Sequence, residues 1–123
     1  MSPQTNRQRL GALGEELAAE HYERLGYALL ARNHRTVAGE IDLIVHGHDA
    51  TVFVEVKTRR AGGLDPLHNL TSSKRRRMRA LAAAWLAEQP RRPRSATVRI
   101  DAVAIVVDDL GRLLSLEQFE DVA

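Results

Sequence analysis

The chain has 123 residues, of which 44% are apolar and 28% charged, the balance of one globular domain rather than of a disordered chain. It has no cysteine, which excludes disulfides and thiolate metal sites and makes an intracellular, cytoplasmic protein the simplest reading. The net charge is only +2, no apolar run approaches the roughly 18–20 residues of a membrane span, and the polar first ten residues lack the apolar core of a secretory signal.

Residues 1–6 are polar and read as loose. From Arg7 to Leu25 the apolar positions Leu10, Leu13, Leu17, Ala18, Tyr22 and Leu25 recur at helical spacing. Gly26 follows as the stop, where glycine tolerates a left-handed backbone. Glu20 and Arg24 make an i,i+4 pair on the outer face. Glu16 points away from the apolar stripe, whereas Glu15 lies at its edge, in register with Ala18 and Tyr22.

Tyr27 to Arg32 reads as a short strand and Arg35 to Gly39 as a turn. Glu40 to His46 is a second strand, joined through His46-Gly47-His48-Asp49 to a third, Thr51 to Thr58. His46 and His48 read as exposed turn residues rather than metal ligands. Arg59 to Thr71 is irregular and, at 13 residues, long for a connection, a length that goes with function or motion. A second helix spans Ser72 to Glu88, with Met78, Leu81, Ala82, Trp85 and Leu86 facing inward and Thr71 or Ser72 as cap. A basic linker with Pro90 and Pro93 leads to the β-branched strand Val98 to Val107. The turn Asp108 to Gly111 then gives a last short strand near Leu113 to Leu116. The order α-β-β-β-α-β-β predicts a single α/β domain over 1–123, a mixed sheet flanked by helices.

Charges stand where a core hairpin should be apolar. Strand parity puts Glu40, Asp42 and Ile44 on one face of the second strand and Phe53, Glu55 and Lys57 on one face of the third. The early end of one strand adjoins the late end of the other, so Glu40, Asp42, Glu55 and Lys57 are expected to converge at one edge. Carboxylates gathered there repel one another and are costly to desolvate. A divalent cation that prefers oxygen resolves the conflict, and Mg²⁺ held by Asp42 and Glu55 fits, with Lys57 placed to orient water or balance phosphate. Each residue alone reads as half of a surface ion pair. The spacing D-x12-E-x-K, with both carboxylates on strands, favours the metal site.

From Lys57 to Arg79 there are eight Lys or Arg and one acid, Asp65. Lys74, Arg75, Arg76, Arg77 and Arg79 crowd the first turns of the second helix, the positive end of its dipole, where an anion would relieve them. Lys74 is in register with Met78 and Trp85 and points inward, while the arginines fan outward. On composition alone this basic face reads equally as a nucleic-acid footprint or as a solvated, arginine-rich surface. Few aromatic residues are present, so base stacking is weakly supported.

The residues Gly14-Glu15, Gly26-Tyr27, Arg32-Asn33, Gly39 to Ile44 (GEIDLI), Phe53 to Arg59 (FVEVKTR), Lys74, and Arg99 with Asp101 resemble the YraN-type family of small bacterial proteins, over nearly the whole chain. That family is similar to the PD-(D/E)xK nucleases, with a restriction-endonuclease-like core related to archaeal Holliday-junction resolvases and tRNA-splicing endonucleases. The resemblance implies Asp42 and Glu55 as metal ligands for Mg²⁺ or Mn²⁺, Lys57 as the catalytic lysine and Glu15 as the helix carboxylate that completes the site. Glu40 and Asp101 match the pattern without an implied role, and Glu40 stands as a further candidate ligand. Ile41 replaces the proline of the superfamily motif. The stretch Gly62 to Pro66 departs from the family's aromatic-glycine-x-proline habit, which bears on substrate shape.

The expected function is a metal-dependent endonuclease on nucleic acid, with branched or structured DNA favoured by analogy. Arg59, Arg60, Lys74, Arg75, Arg76 and Arg77 are the expected phosphate contacts, and a homodimer is the expected assembly because a junction presents two related strands. The alternatives are a nucleic-acid-binding module that does not cut, or an interaction subunit of a repair, recombination or uptake complex.

Overall fold

The computed structural model describes residues 4–62 and 71–123. Its elements are α1 (Asn6–Arg24), β1 (Ala28–Thr36), β2 (Gly39–Gly47), β3 (Ala50–Arg60), α2 (Ser72–Glu88), β4 (Thr97–Val107) and β5 (Leu113–Phe119), the succession that the pattern predicts. No helix among the described residues is long and apolar enough to cross a membrane.

A reciprocal cap starts α1. The Thr5 hydroxyl accepts from the Gln8 N–H at 3.1 Å, and the Gln8 side chain accepts from the Thr5 N–H at 2.8 Å. This ties down Thr5 and Asn6, inside the stretch that composition alone reads as loose. Gly26, at φ 97, ends the helix in the left-handed region. The i,i+4 pair of Glu20 and Arg24 forms at 3.5 Å. Thr71 caps α2, its hydroxyl accepting from the Lys74 N–H at 3.2 Å.

The strands form one five-stranded sheet in sequence order, β1 to β5. Only β3 and β4 are parallel, joined by the crossover through α2, and the other neighbours are antiparallel. α1 covers one face, where Ala18, Ala19 and Tyr22 pack on Leu43, Val45, Val52, Val54, Val103 and Ile105. α2 covers the other, where Leu81, Ala82 and Trp85 pack on Ile41, Ile44, Phe53 and Ile100.

Three strands outrun their apolar pattern. β3 continues to Arg60 because its parallel partner runs on to Val107, pairing Arg59 with Val106 and Arg60 with Val107. Arg59 and Arg60 are therefore strand residues and not part of the irregular segment. β5 reaches Phe119, opposite Ala102, and β1 reaches Thr36, opposite Gly39. Backbone pairing with a long neighbour carries a strand past the point where its own alternation stops.

The parity argument for β2 also needs correction. Ile41 does not share a face with Leu43 and Val45; it packs with Ile44 on the α2 side. Strict alternation is thus lost between Ile41 and Leu43, at the position of Asp42. The face expected to carry mainly charge is itself a core, covered by α2.

A second buried polar feature lies on β4. Asp101 is fully buried and accepts hydrogen bonds from Tyr22 Oη (2.8 Å), Arg99 Nε (2.8 Å) and Nη2 (3.0 Å), Gln118 Nε2 (3.1 Å) and the Asp121 N–H (3.1 Å). One carboxylate so joins α1, β4, β5 and the C-terminal segment. Burial and the adjacent Asp101 carboxylate raise the Tyr22 pKa, which keeps its hydroxyl a donor.

Candidate metal centre

β2 and β3 pair from Gly47–Ala50 as far as Leu43–Val54 and then separate. Asp42 is the first residue beyond the last pair. Its Oδ2 accepts the Val56 N–H at 2.8 Å, so its carboxylate bridges the opening fork and satisfies a backbone donor that the ladder has released. Burial, then the Glu55 charge, raise the Asp42 pKa to about 7; the Val56 N–H opposes this, Glu15 adds to it and Lys57 opposes it.

Two more carboxylates reach the same fork. Glu15 comes from α1 and Glu40 from the start of β2. One oxygen each of Glu15, Glu40 and Asp42 lie within 4.8 Å of one another. Burial raises the Glu15 pKa; the Asn33 side-chain amide lowers it, Glu40 raises it, Arg32 lowers it and Glu55 raises it. Gly14 brings α1 close enough for this. A Cβ there would fall 1.7 Å from Thr58 Oγ1, so only glycine permits the approach of α1 to β3 at the turn that carries Glu15.

Glu55 and Lys57 form their own pair, Oε1 to Nζ at 2.9 Å, beside the trio. Glu55 acts on both Asp42 and Glu15 electrostatically, yet its carboxylate is not one of the three within mutual ligand distance. Glu40, expected at this edge as a further candidate ligand, joins Asp42 and Glu15, while Glu55 pairs with Lys57 beside them. Glu40 also lies 3.8 Å from Arg35 Nε. Three carboxylate oxygens, one from α1 and two from β2, are a hard-ligand set of the kind that Mg²⁺ or Mn²⁺ takes.

The expected phosphate contacts are spread more widely. Glu40 and Glu55 line a narrow apolar crevice with Phe53, Met78 and Leu81, so α2 borders the fork. Lys74, one turn before Met78, is half-buried, and Arg75, Arg76 and Arg77 are exposed. Arg60 instead turns toward the β4–β5 connection, where Nη1 donates to the Asp108 carbonyl at 3.3 Å. The segment bearing Gly63 to Pro66 lies outside the described residues.

His21, His46 and His48 serve the scaffold. His48 Nε2 meets the Leu25 carbonyl at 2.6 Å, at the end of α1, and its ring stands edge-on to Tyr27. His46 meets the Arg94 carbonyl at 3.3 Å and His21 the Gln118 side chain at 2.7 Å. Sequence reasoning missed Asn33 as a neighbour of Glu15; its only signal there was the Arg32-Asn33 pair in the family resemblance.

The model of the family described as "Uncharacterised protein family UPF0102" matches residues 14–105. The chain belongs to UPF0102. Relatives in this family include UPF0102 protein CE1920 of Corynebacterium efficiens, 46% identical over 96% of this chain and 94% of its own length. The UPF0102 protein of Mycolicibacterium vanbaalenii is 45% identical over 85% of this chain and 86% of its own. That of Acidothermus cellulolyticus is 43% identical over 81% and 83%. The UPF0102 match opens at Gly14 and so takes in Glu15, the fork residues, α2 and Asp101.

Proposed function

We propose that this UPF0102 chain is a divalent-metal-dependent endonuclease acting on nucleic acid, with DNA the favoured substrate. The observation that carries the reading is the trio Glu15, Glu40 and Asp42 at the mouth of the β2–β3 fork, with oxygens within 4.8 Å. The donor set fits a hard cation, and the raised Asp42 pKa marks a carboxylate whose negative charge lacks compensation in the protein alone. Mg²⁺ or Mn²⁺ bound there would neutralise a phosphate and lower the pKa of a water. Glu15, Glu40 and Asp42 would hold the ion, and Glu55, paired here with Lys57, would join them on release. The Lys57 ammonium, beside Glu55, has a donor to offer a non-bridging phosphate oxygen or an attacking water. Lys74, Arg75 and Arg76, with Arg59, carry charge to hold the flanking phosphates.

The test is a panel of duplex, single-stranded, flap, junction and RNA substrates incubated with Mg²⁺ or Mn²⁺. Cleavage of at least one is expected, falling by at least about a hundredfold in Asp42→Asn and in Glu55→Gln. Cleavage undiminished in both variants sinks the site assignment. Salt-dependent binding without cleavage of any substrate supports a binding module instead, and no binding of nucleic acid supports an interaction subunit.

A further inference from the structure

The basic linker after α2 takes no part in the carboxylate fork, yet it walls a cavity of about 360 Å³. Pro90, Arg92, Pro93, Arg94 and Ser95 of the linker line it together with Thr51 of β3. The volume falls within the roughly 300–1,000 Å³ of small-molecule sites. No acid lines it among the described residues. Asp49, which approaches the same segment, is committed elsewhere, its Oδ1 accepting the Ala96 N–H at 3.0 Å. What the cavity offers is donors. Thr51 is buried, and its Oγ1 stands 2.6 Å from Ser95 Oγ. One hydroxyl proton fits between two oxygens, so the pair keeps a second proton that has no acceptor among the hydrogen bonds of the described residues. Arg92 Nη1 donates to the Leu86 and Gln89 carbonyls at 2.8 and 2.9 Å. Those bonds cover the negative end of α2, which would otherwise repel an anion, and leave the Nε and Nη2 protons. At Arg94 only the backbone carbonyl is engaged, by His46. Neither guanidinium pairs with a carboxylate among the described residues.

We propose that this cavity binds a phosphate group, with Arg94, Arg92 and the Thr51–Ser95 hydroxyl pair as its donors. Guanidinium groups have no acceptor, so their ligand must be an acceptor, and two positive charges select an anion. Two guanidiniums and a hydroxyl on different walls suit the tetrahedral oxygens of a phosphate better than the flat pair of a carboxylate. The site is separate from the fork. From Met78, which lines the crevice beside the fork, to Leu86, which lines the cavity, α2 rises about 12 Å. From Glu55 to Thr51, β3 covers about 13 Å. At about 3.4 Å of axis per phosphate of one strand, that distance is about four nucleotides. A backbone phosphate of a strand lying at the fork would reach the cavity, and a free phosphate would enter it alone. Both carry the same group, and neither requires a metal ion at the fork.

The experiment uses the full chain, free of metal, as wild type, Arg94→Ala, Arg94→Glu and Arg91→Ala. Arg94→Ala leaves the carbonyl that His46 meets, whereas Arg92→Ala would uncap α2 and is avoided. Arg91 belongs to the same linker but does not line the cavity, so Arg91→Ala is the control. In the first arm, inorganic phosphate is titrated at constant ionic strength while the backbone amide signals of Thr51 and Ser95 are followed by NMR. Saturable shifts are expected in wild type and Arg91→Ala. The affinity should fall about tenfold or more in Arg94→Ala, the loss of one charge-assisted hydrogen bond, and further in Arg94→Glu. In the second arm, duplex DNA binding is measured across a salt series. A slope of log affinity against log salt shallower by about 1 in Arg94→Ala, and unmoved in Arg91→Ala, assigns the phosphate to the nucleic-acid backbone. Phosphate shifts lost in Arg94→Ala with an unmoved slope assign it to a free phosphate. The proposal is overturned if phosphate shifts neither signal and the slope is also unmoved, or if Arg91→Ala does as much as Arg94→Ala in both arms.

Discussion

Asp42 is where the fold and the proposed chemistry pull in opposite directions. Its pKa is about 7 in the folded protein against 3.8 as the ordinary value. Between those limits the folded state holds a proton that the unfolded chain has released. This contribution to stability is therefore fully present below about pH 4 and is lost as pH rises to about 7, at up to about 1.4 kcal/mol per unit. Because Glu15 and Glu55 also act on Asp42, the loss belongs to the group and not to one carboxyl. Asp42→Asn, neutral at every pH, should flatten this part of the profile. Urea unfolding of the metal-free protein across the range measures it, and parallel profiles for wild type and variant would refute the assignment. Metal binding needs the ionised form, so Mn²⁺ affinity should climb with pH up to about 7 and then level. That Glu40, Asp42, Glu55 and Lys57 come to one edge was legible from strand parity and hairpin pairing. That the oxygens of Glu15, Glu40 and Asp42 form the tight group was not, because parity assumes a regular strand and β2 departs from regularity at Asp42 itself. Asp101 shows the opposite limit. Its place in the family pattern carries no role, and only the five donors around it reveal a structural knot.

Among the elements, α1 has the most exacting placement. Its apolar stripe made it readable as a helix, but periodicity does not say how closely a helix lies to a sheet. Gly14 does. A Cβ at Gly14 would meet Thr58 Oγ1 at 1.7 Å and Thr58 Cβ at 2.8 Å, so Gly14→Ala must push α1 away from β3. Overpacking of this kind costs about 1–3 kcal/mol, and the displaced turn carries Glu15, so weaker Mn²⁺ binding should accompany the loss. Gly11→Ala is the control. Nothing lies within 4 Å of a Cβ there, and it should stabilise α1 by about 0.5–1 kcal/mol without touching metal affinity. Thermal unfolding and calorimetry on both variants check this. Equal behaviour of the two would show that α1 does not depend on the contact with Thr58. In the sheet, the centres of the strands were legible and their ends were not. β1, β3 and β5 owe their length to pairing between neighbours, which a single strand's pattern does not contain.

For the molecule as a whole, the layer order followed from sequence because each helix stripe needs a sheet face and the crossover through α2 makes β3 and β4 parallel. The structure adds where the aromatic rings go. Tyr22, Tyr27, Phe53 and Trp85 are all buried, and Phe119 is half-buried. The rings that could stack on unpaired bases are thus spent on the core, whereas Arg75, Arg76 and Arg77 remain exposed at the start of α2. A surface rich in cations and poor in exposed rings recognises phosphate rather than base, and its binding should be electrostatic throughout. Duplex DNA, with the denser phosphate charge, is expected to bind more tightly than a single strand of equal length. The plot of log affinity against log salt should have a slope of about −0.9 for each phosphate contact. Replacing Arg75, Arg76 and Arg77 together by alanine should make that slope shallower by about 2–3 and leave Mn²⁺ affinity unchanged, since none belongs to the carboxylate trio. Fluorescence anisotropy across a salt series measures both quantities. A stronger preference for single strands, or a slope that the triple substitution does not move, would place the nucleic-acid surface somewhere other than the start of α2.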